Sequence, residues 1–344
     1  VPESAALAEF TTLRVGGPAQ HLVTATTDAE LIAAVTAADQ AGEPLLVLGG
    51  GSNLVVGDAG FRGTVVLVRT RGVTAVGAGC GWTGAEVEVA AGEVWDEFVD
   101  HAVAQEWVGI EALTGIPGLV GATPVQNVGA YGAEVADVVT RVRTWDRQDR
   151  AQRTFAAADC GFGYRWSRFK AEPDRWVVLG VTFQFRSGTL SAPVRYAELA
   201  ARLGVEIGAR APVPEVRDAV RALRASKGMV LDPADHDTWS AGSFFTNPVL
   251  AAEEAARLPD EAPRWPEGDR VKTSAAWLIE HAGFGKGYGE GAARLSSKHT
   301  LALTNRGGAT ADQVLALARE VRDGVRERFG VTLVNEPVLV GCEL

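Results

Sequence analysis

Glu336 lies in the apolar run Leu333-Val334-Asn335-Glu336-Pro337-Val338-Leu339-Val340. A carboxylate there is costly unless it is paired or protonated, and a carboxyl group under that pressure is a candidate for acid–base or charge-stabilising chemistry. The alternative is an edge strand with Glu336 facing water, which Pro337 permits. Two other residues have the right chemistry in less telling settings. Ser243, in Ala241-Gly242-Ser243-Phe244-Phe245-Thr246-Asn247-Pro248, taken alone reads as a turn or cap residue. Arg165, in Gly163-Tyr164-Arg165 ahead of a strand, taken alone reads as a surface arginine.

Two glycine-rich segments could hold an anion or a flat ligand. Gly49-Gly50-Gly51-Ser52-Asn53 follows the short apolar strand Leu45-Leu46-Val47-Leu48. It lacks the Gly-Lys-Ser/Thr of a Walker loop, and Leu54-Val55-Val56 continues as strand, so it is no Rossmann fingerprint. Its successive N–H groups could still form an anion-binding nest around a pyrophosphate; a plain tight turn is the competing reading. The segment Gly115 to Gly132 is long, nearly free of charge and without period. Its small residues would let backbone approach a flat ligand, with Thr123, Gln126 and Asn127 offering hydrogen bonds; the bland reading is a surface loop. Glycines at 283, 285, 287, 289 and 291, with Lys286 among them, make a weak phosphate-loop signal. The five histidines show no helical metal-ligand pair, so no metal is expected.

The elements that must position these residues read as an α+β chain. Thr27-x-x-Glu30 is a capping box opening a helix that ends near Gly42. Strands are expected at Leu45–Leu48, Val65–Val68, Glu86–Ala90 and Trp176–Phe185, with a helix from about Glu93 to Trp107. Pro214 suits the first turn of a helix running to about Ser226. Asp232 to Pro248 reads as loop, and a further helix is expected over Thr273 to Ala282. Thr310-x-x-Gln313 opens a helix that stops near Gly330, and a strand from Val331 to Val340 closes the chain. Stretches 188–214 and 259–268 read as linkers or excursions.

Composition narrows the partners. The chain has 344 residues, 47% of them hydrophobic, and 43 acidic against 33 basic side chains give a net charge of −10. That sign argues against nucleic acid or an anionic membrane surface as a partner, so an anionic ligand must be met by local cations or N–H groups. No apolar run approaches the ~20 residues of a membrane span, and no signal peptide is visible. Three widely spaced cysteines, Cys80, Cys160 and Cys342, favour neither a disulfide framework nor a zinc site. A reducing cytoplasm is the expected location.

In their order along the chain, Leu48 to Asn53, Gly115 to Gly132, Phe162 to Arg165, Ala241 to Pro248 and Asn335-Glu336-Pro337 resemble the UDP-N-acetylenolpyruvoylglucosamine reductase (MurB) family of bacterial cell-wall synthesis. The resemblance runs from about Phe10-Thr11-Thr12-Leu13 to Gly341. It implies an α+β architecture, with a vanillyl-alcohol-oxidase-like (PCMH-type) two-lobed FAD-binding fold plus a C-terminal α+β substrate domain. The lobes would be residues 1–72 and 73–223 and the substrate domain 224–336, the last strand near 337–344 returning to the first lobe. It further implies non-covalent FAD, NADPH as co-substrate and UDP-N-acetylglucosamine enolpyruvate as substrate, in a chain compatible with a monomer.

The resemblance also implies residue roles. Gly49, Gly50, Gly51, Ser52, Asn53 and Leu54 would hold the FAD pyrophosphate. Gly115, Ile116, Gly121, Ala122, Thr123, Asn127, Gly129, Tyr131 and Val178 would line the rest of the cofactor, and Arg224 would contact the flavin. Tyr164, Tyr196, Lys227, Asn247, Lys286 and His299 would bind substrate. Of these, His299 stands where some members carry Gln, and Tyr196 lies in an excursion that marks the class with a cover over the substrate. Reducing an enolpyruvyl C=C needs hydride at the terminal carbon, which reduced flavin supplies. Charge then builds at the neighbouring carbon, where Arg165 and a protonated Glu336 would stabilise it. Ser243 matches the family's proton donor, a weak acid that needs close placement. The rivals are another FAD enzyme of the same fold, such as a hydroxy-acid oxidase, and a non-enzymatic nucleotide-sugar binder.

Overall fold

The computed structural model describes residues 5–76 and 84–344; Cys80 lies outside the described residues. The chain forms two compact units. One comprises residues 21–50 and 62–225, the other residues 1–20, 51–61 and 226–344. Residues 1–72, expected as one lobe, are therefore shared between the two.

The first unit begins with the helix Asp28–Ala41. Thr27 Oγ1 accepts from the Glu30 N–H at 3.2 Å, and Glu30 reaches back to the N–H and hydroxyl of Thr26. Gly42 ends the helix at φ 65°, a left-handed cap that glycine takes without strain. Leu31, Val35 and Ala38 fall on one face and are buried. The strand Leu45–Leu48 pairs parallel with Phe61–Val68, and the turn that follows it is the first glycine segment.

An antiparallel sheet dominates the rest of this unit, in the order Ala151–Ala156, Val139–Asp146, Trp176–Ser187, Ala85–Ala90, Val73–Ala75. Its central strand is apolar on both faces, as strands covered on two sides must be. Trp95 and Phe98 of the helix Trp95–Ala104 pack on Phe183 with ring centroids 5.3–6.1 Å apart. That helix is shorter than its expected span, Glu93 to Trp107. At its start the Glu93 carbonyl accepts from the Val120 N–H, and at its end Trp107 joins a strand pairing with Ser187. Residues 188–214 are no linker: the helix Ala197–Leu203 packs with Val213–Ser226 in a small core of Val194, Leu199, Ala200, Val216 and Val220.

The second unit packs the helices Ala275–His281 and Ala311–Phe329 around Phe244, Phe245, Leu295, Leu303 and Leu333. The expected capping box is complete: Thr310 Oγ1 accepts from the Gln313 N–H and Gln313 Oε1 from the Thr310 N–H. Residues 259–268 are also structured, with Arg264–Glu267 forming a hairpin with Arg270–Thr273. Of the strand expected over Val331 to Val340, only Val338–Val340 forms, parallel to Leu54–Val56. The ladder stops because Pro337 has no N–H and Asn335 Nδ2 donates locally to the Pro337 carbonyl at 2.8 Å.

Candidate functional site

The predicted residues fall in both units. The unit of residues 21–50 and 62–225 carries Gly49, Gly50, Gly115, Ile116, Gly121, Ala122, Thr123, Asn127, Gly129, Tyr131, Tyr164, Arg165, Val178, Tyr196 and Arg224. The other carries Gly51, Ser52, Asn53, Leu54, Lys227, Ser243, Asn247, Lys286, His299 and Glu336.

In the first of these, Gly50 meets the long loop backbone to backbone: a Cβ at Gly50 would lie 2.7 Å from Gly118 Cα. Among the described residues the N–H groups of Gly50, Ile116 and Gly118 have no acceptor, and in the other unit neither do those of Gly51 and Ser52. Glycine-lined backbone with outstanding donors is what a pyrophosphate requires, and within their own unit Gly50, Ile116 and Gly118 offer it.

The long loop is anchored rather than loose. Asp96, at the start of a helix, accepts from the Gly115 N–H at 2.6 Å and from Thr114 Oγ1, while its other oxygen meets Arg221. Several small residues have work inside the chain. Gly121 lies so close to Ala91 that a side chain would collide with it, and Thr123 Oγ1 donates to the Val120 carbonyl at 2.8 Å. Asn127 is buried at φ 47°. Its Nδ2 donates to Glu134 Oε2 at 2.8 Å and to the Gly163 carbonyl at 3.1 Å, and its Oδ1 accepts from the Ala136 N–H.

That same loop holds Arg165. The residue takes φ 52° in a turn closed by mutual hydrogen bonds of Gly163 and Trp166. Its guanidinium donates to the Gly129 carbonyl at 2.8 Å and lies over the Tyr164 ring at 5.3 Å. Arg224 ends the helix Val213–Ser226. Burial lowers it to about 10, which leaves it cationic at neutral pH; Tyr131 and Asp96 counter that shift and Arg165 adds to it. Tyr196 is 46% exposed and stands edge-on to Tyr131 at 5.3 Å. Val178 is buried in the central strand opposite Thr144.

In the other unit, the segments that carry Ser243 and Glu336 are joined by backbone pairing. Phe245 bridges Asn335, the Glu336 N–H donates to the Phe244 carbonyl at 2.8 Å, and the Thr246 N–H donates to Val334. Phe244 and Phe245 are buried and clamp the segment to the core. Ser243 Oγ is half-buried and bonds to no described residue, which leaves it open to a ligand. Asn53 Nδ2 donates to the Glu336 carbonyl at 3.4 Å, joining the end of the first glycine segment to this pair. Glu336 is half-buried in this irregular stretch. Asn247 Oδ1 caps the helix at Ala275, Lys286 is exposed, and His299 sits in a turn whose N–H is taken by Ser296 Oγ.

Four supporting residues escaped the sequence reading: Asp96, Glu134, Ser167 and Asp237. Asp96, an acidic residue in a first helical turn, and Ser167, which caps the short helix Arg168–Ala171, carried local signals. Asp237 is buried and takes bonds from the Ser297 N–H and hydroxyl and from Arg306, tying the segment before Ser243 to the turn holding His299. Among the described residues no His, Cys, Asp or Glu group could hold a metal ion, and no helix is long and apolar enough to cross a membrane.

Residues 19–154 match the model of an FAD binding domain, and residues 232–340 match the C-terminal domain of UDP-N-acetylenolpyruvoylglucosamine reductase. The chain is 62% identical to the UDP-N-acetylenolpyruvoylglucosamine reductase of Cutibacterium acnes, over 99% of this chain and 91% of that protein. It is 58% identical to the one from Streptomyces avermitilis, over 99% and 95%. Among solved structures, the reductase of Thermus caldophilus covers 98% of both chains with a TM-score of 0.66 at 28% identity.

Proposed function

Because this chain belongs to the UDP-N-acetylenolpyruvoylglucosamine reductase family, we propose that it reduces the enolpyruvyl C=C of UDP-N-acetylglucosamine enolpyruvate to give UDP-N-acetylmuramate. Bound without a covalent link and reduced by NADPH, FAD would supply the hydride. The remaining work falls to side chains. Arg165 and Glu336, the latter protonated, stabilise the negative charge that spreads into the substrate carboxylate. Ser243 Oγ gives its proton to the carbon next to that carboxylate. Arg224 and the open N–H groups of the glycine segments hold the cofactor, and Tyr164, Tyr196, Lys227, Asn247, Lys286 and His299 are the proposed substrate contacts.

The observation that supports this reading is the pairing of Phe244 and Phe245 with Asn335 and Glu336, which joins the segment of Ser243 to the segment of Glu336. The test separates the half-reactions under anaerobic conditions. NADPH should bleach the flavin, and the UDP-enolpyruvyl sugar should restore its colour. Rapid reoxidation by oxygen with no response to the sugar would instead identify an oxidase, and a colourless purified protein would identify a nucleotide-sugar binder.

A further inference from the structure

We propose that Asn127 and Ser167 are positioning residues that fasten Arg165 to the long glycine loop, so that one rigid piece of backbone aims the cation. The proposal rests on the role given to Arg165 above.

The geometry is a clamp built on alternate residues of the loop. Two residues before Arg165, the Gly163 carbonyl accepts from Asn127 Nδ2 at 3.1 Å. Two residues after it, Ser167 Oγ donates to the Val125 carbonyl at 2.5 Å. Between these two ties, the Arg165 guanidinium donates to the Gly129 carbonyl at 2.8 Å. The turn is thus fixed to residues 125, 127 and 129 of the same loop, and Lys170 Nζ adds a bond to the Arg165 carbonyl at 3.1 Å. Both pinning side chains are buried, Ser167 wholly and Asn127 at 1% exposure.

Two further observations show that the arrangement is tight. Arg165 and Asn127 both occupy the left-handed region, at φ 52° and 47°, which non-glycine residues hold only where surrounding bonds over-determine them. A Cβ at Gly129 would lie 2.9 Å from Glu134 Cγ and 3.2 Å from the Arg165 guanidinium, so the absence of a side chain there makes room for the arginine. Asn127 spends both amide donor and carbonyl oxygen on Glu134, Gly163 and Ala136. Its side chain therefore serves the clamp, and its N–H donates to the Pro124 carbonyl at 3.4 Å. A long flexible arginine loses rotamer freedom when it binds in one pose; fixing it beforehand moves that cost from the reaction to folding.

The decisive variant is Asn127→Gly, which tolerates the positive φ and removes only the side-chain bonds. In the holoenzyme at saturating FAD, flavin reoxidation by the UDP-enolpyruvyl sugar should slow about 10- to 100-fold in rate constant rather than in apparent affinity. Adding Asn127→Gly to Arg165→Ala should then cost nothing further, because the clamp acts only through the arginine. Ser167→Ala should show the same pattern, more weakly. If Arg165→Ala itself leaves reoxidation intact, the assigned role of Arg165 fails. If Arg165→Ala is crippled while Asn127→Gly and Ser167→Ala behave as the unaltered enzyme, the clamp alone fails. Loss of flavin in both clamp variants, or additive losses in the double variant, would overturn the proposal by making the bonds merely structural.

Discussion

The turns that carry Arg165 and Ser243 are held in opposite ways. Arg165 is fastened by side chains: Asn127, Ser167 and Lys170 converge on its turn, and its own guanidinium is bonded to Gly129. Ser243 is fastened by backbone alone, through Phe244 and Phe245 pairing with Leu301, Asn335 and Glu336. Its hydroxyl has no bond to a described residue. The contrast fits the roles proposed for the two groups. A guanidinium stabilising charge has to be aimed, and a planar fork is aimed by locking it. A serine donating a proton has to keep its O–H for the substrate, so its position must come from the main chain.

Removing the open hydroxyl tests that contrast most severely. Ser243→Ala should leave flavin reduction by NADPH unchanged and slow enolpyruvyl reduction by about 10²- to 10⁴-fold, the usual worth of a proton donor; stopped-flow measurement of both half-reactions decides it. Arg165→Lys keeps the charge and loses the fork. It should slow the same half-reaction by about 10²-fold, and an unchanged rate would mean that charge without aim suffices.

The support behind Ser243 breaks differently. Burial alone would raise the Asp237 carboxyl, but the Ser297 hydroxyl and N–H, with Arg306, hold it below the usual range. A carboxyl lower in the folded than in the unfolded state stabilises above the unfolded value, and that contribution fades as pH falls through the folded one. Asp237→Asn should therefore cost about 2–3 kcal/mol in urea unfolding near neutral pH. The gap from the unaltered protein should narrow as pH falls below the usual carboxylate range; a gap that stays constant would show that the charge is not what matters. The smallest effect is expected at the rim. Tyr196 is largely exposed, so Tyr196→Phe should raise the apparent KM for the UDP-sugar by about threefold to tenfold, the worth of one neutral hydrogen bond, with kcat kept.

Much of the fold was readable because its signals are local. Thr27 and Thr310 cap helices that end at Gly42 and Gly330, since a cap needs only residues within four positions of itself. The buried runs at Leu45–Leu48 and Trp176–Ser187 became strands for the same reason. Where the reading failed, distant partners had overruled local pattern. Val331 to Pro337 looked like strand, yet Asn335 found its partner in Phe245, 90 positions earlier in the chain. Stretch 188–214 looked like linker until Val194 and Leu199 met Val216 and Val220.

The candidate site divides along the same line. Residue identity alone marked Glu336 as a costly carboxyl in apolar surroundings and the glycine segments as backbone meant for close approach. Those inferences need only side-chain chemistry and the missing Cβ. What only the tertiary structure decided is where each glycine's close approach is spent: Gly50 on Gly118, Gly121 on Ala91, Gly129 on Glu134 and Arg165. It also decided that Asn127 is tied to the turn of Arg165 and that the segment of Glu336 pairs with the one carrying Ser243. No local pattern encodes a hydrogen bond between residues 36 positions apart, as between Asn127 and Gly163. Such a bond exists only once the packing of both segments has brought donor and acceptor together.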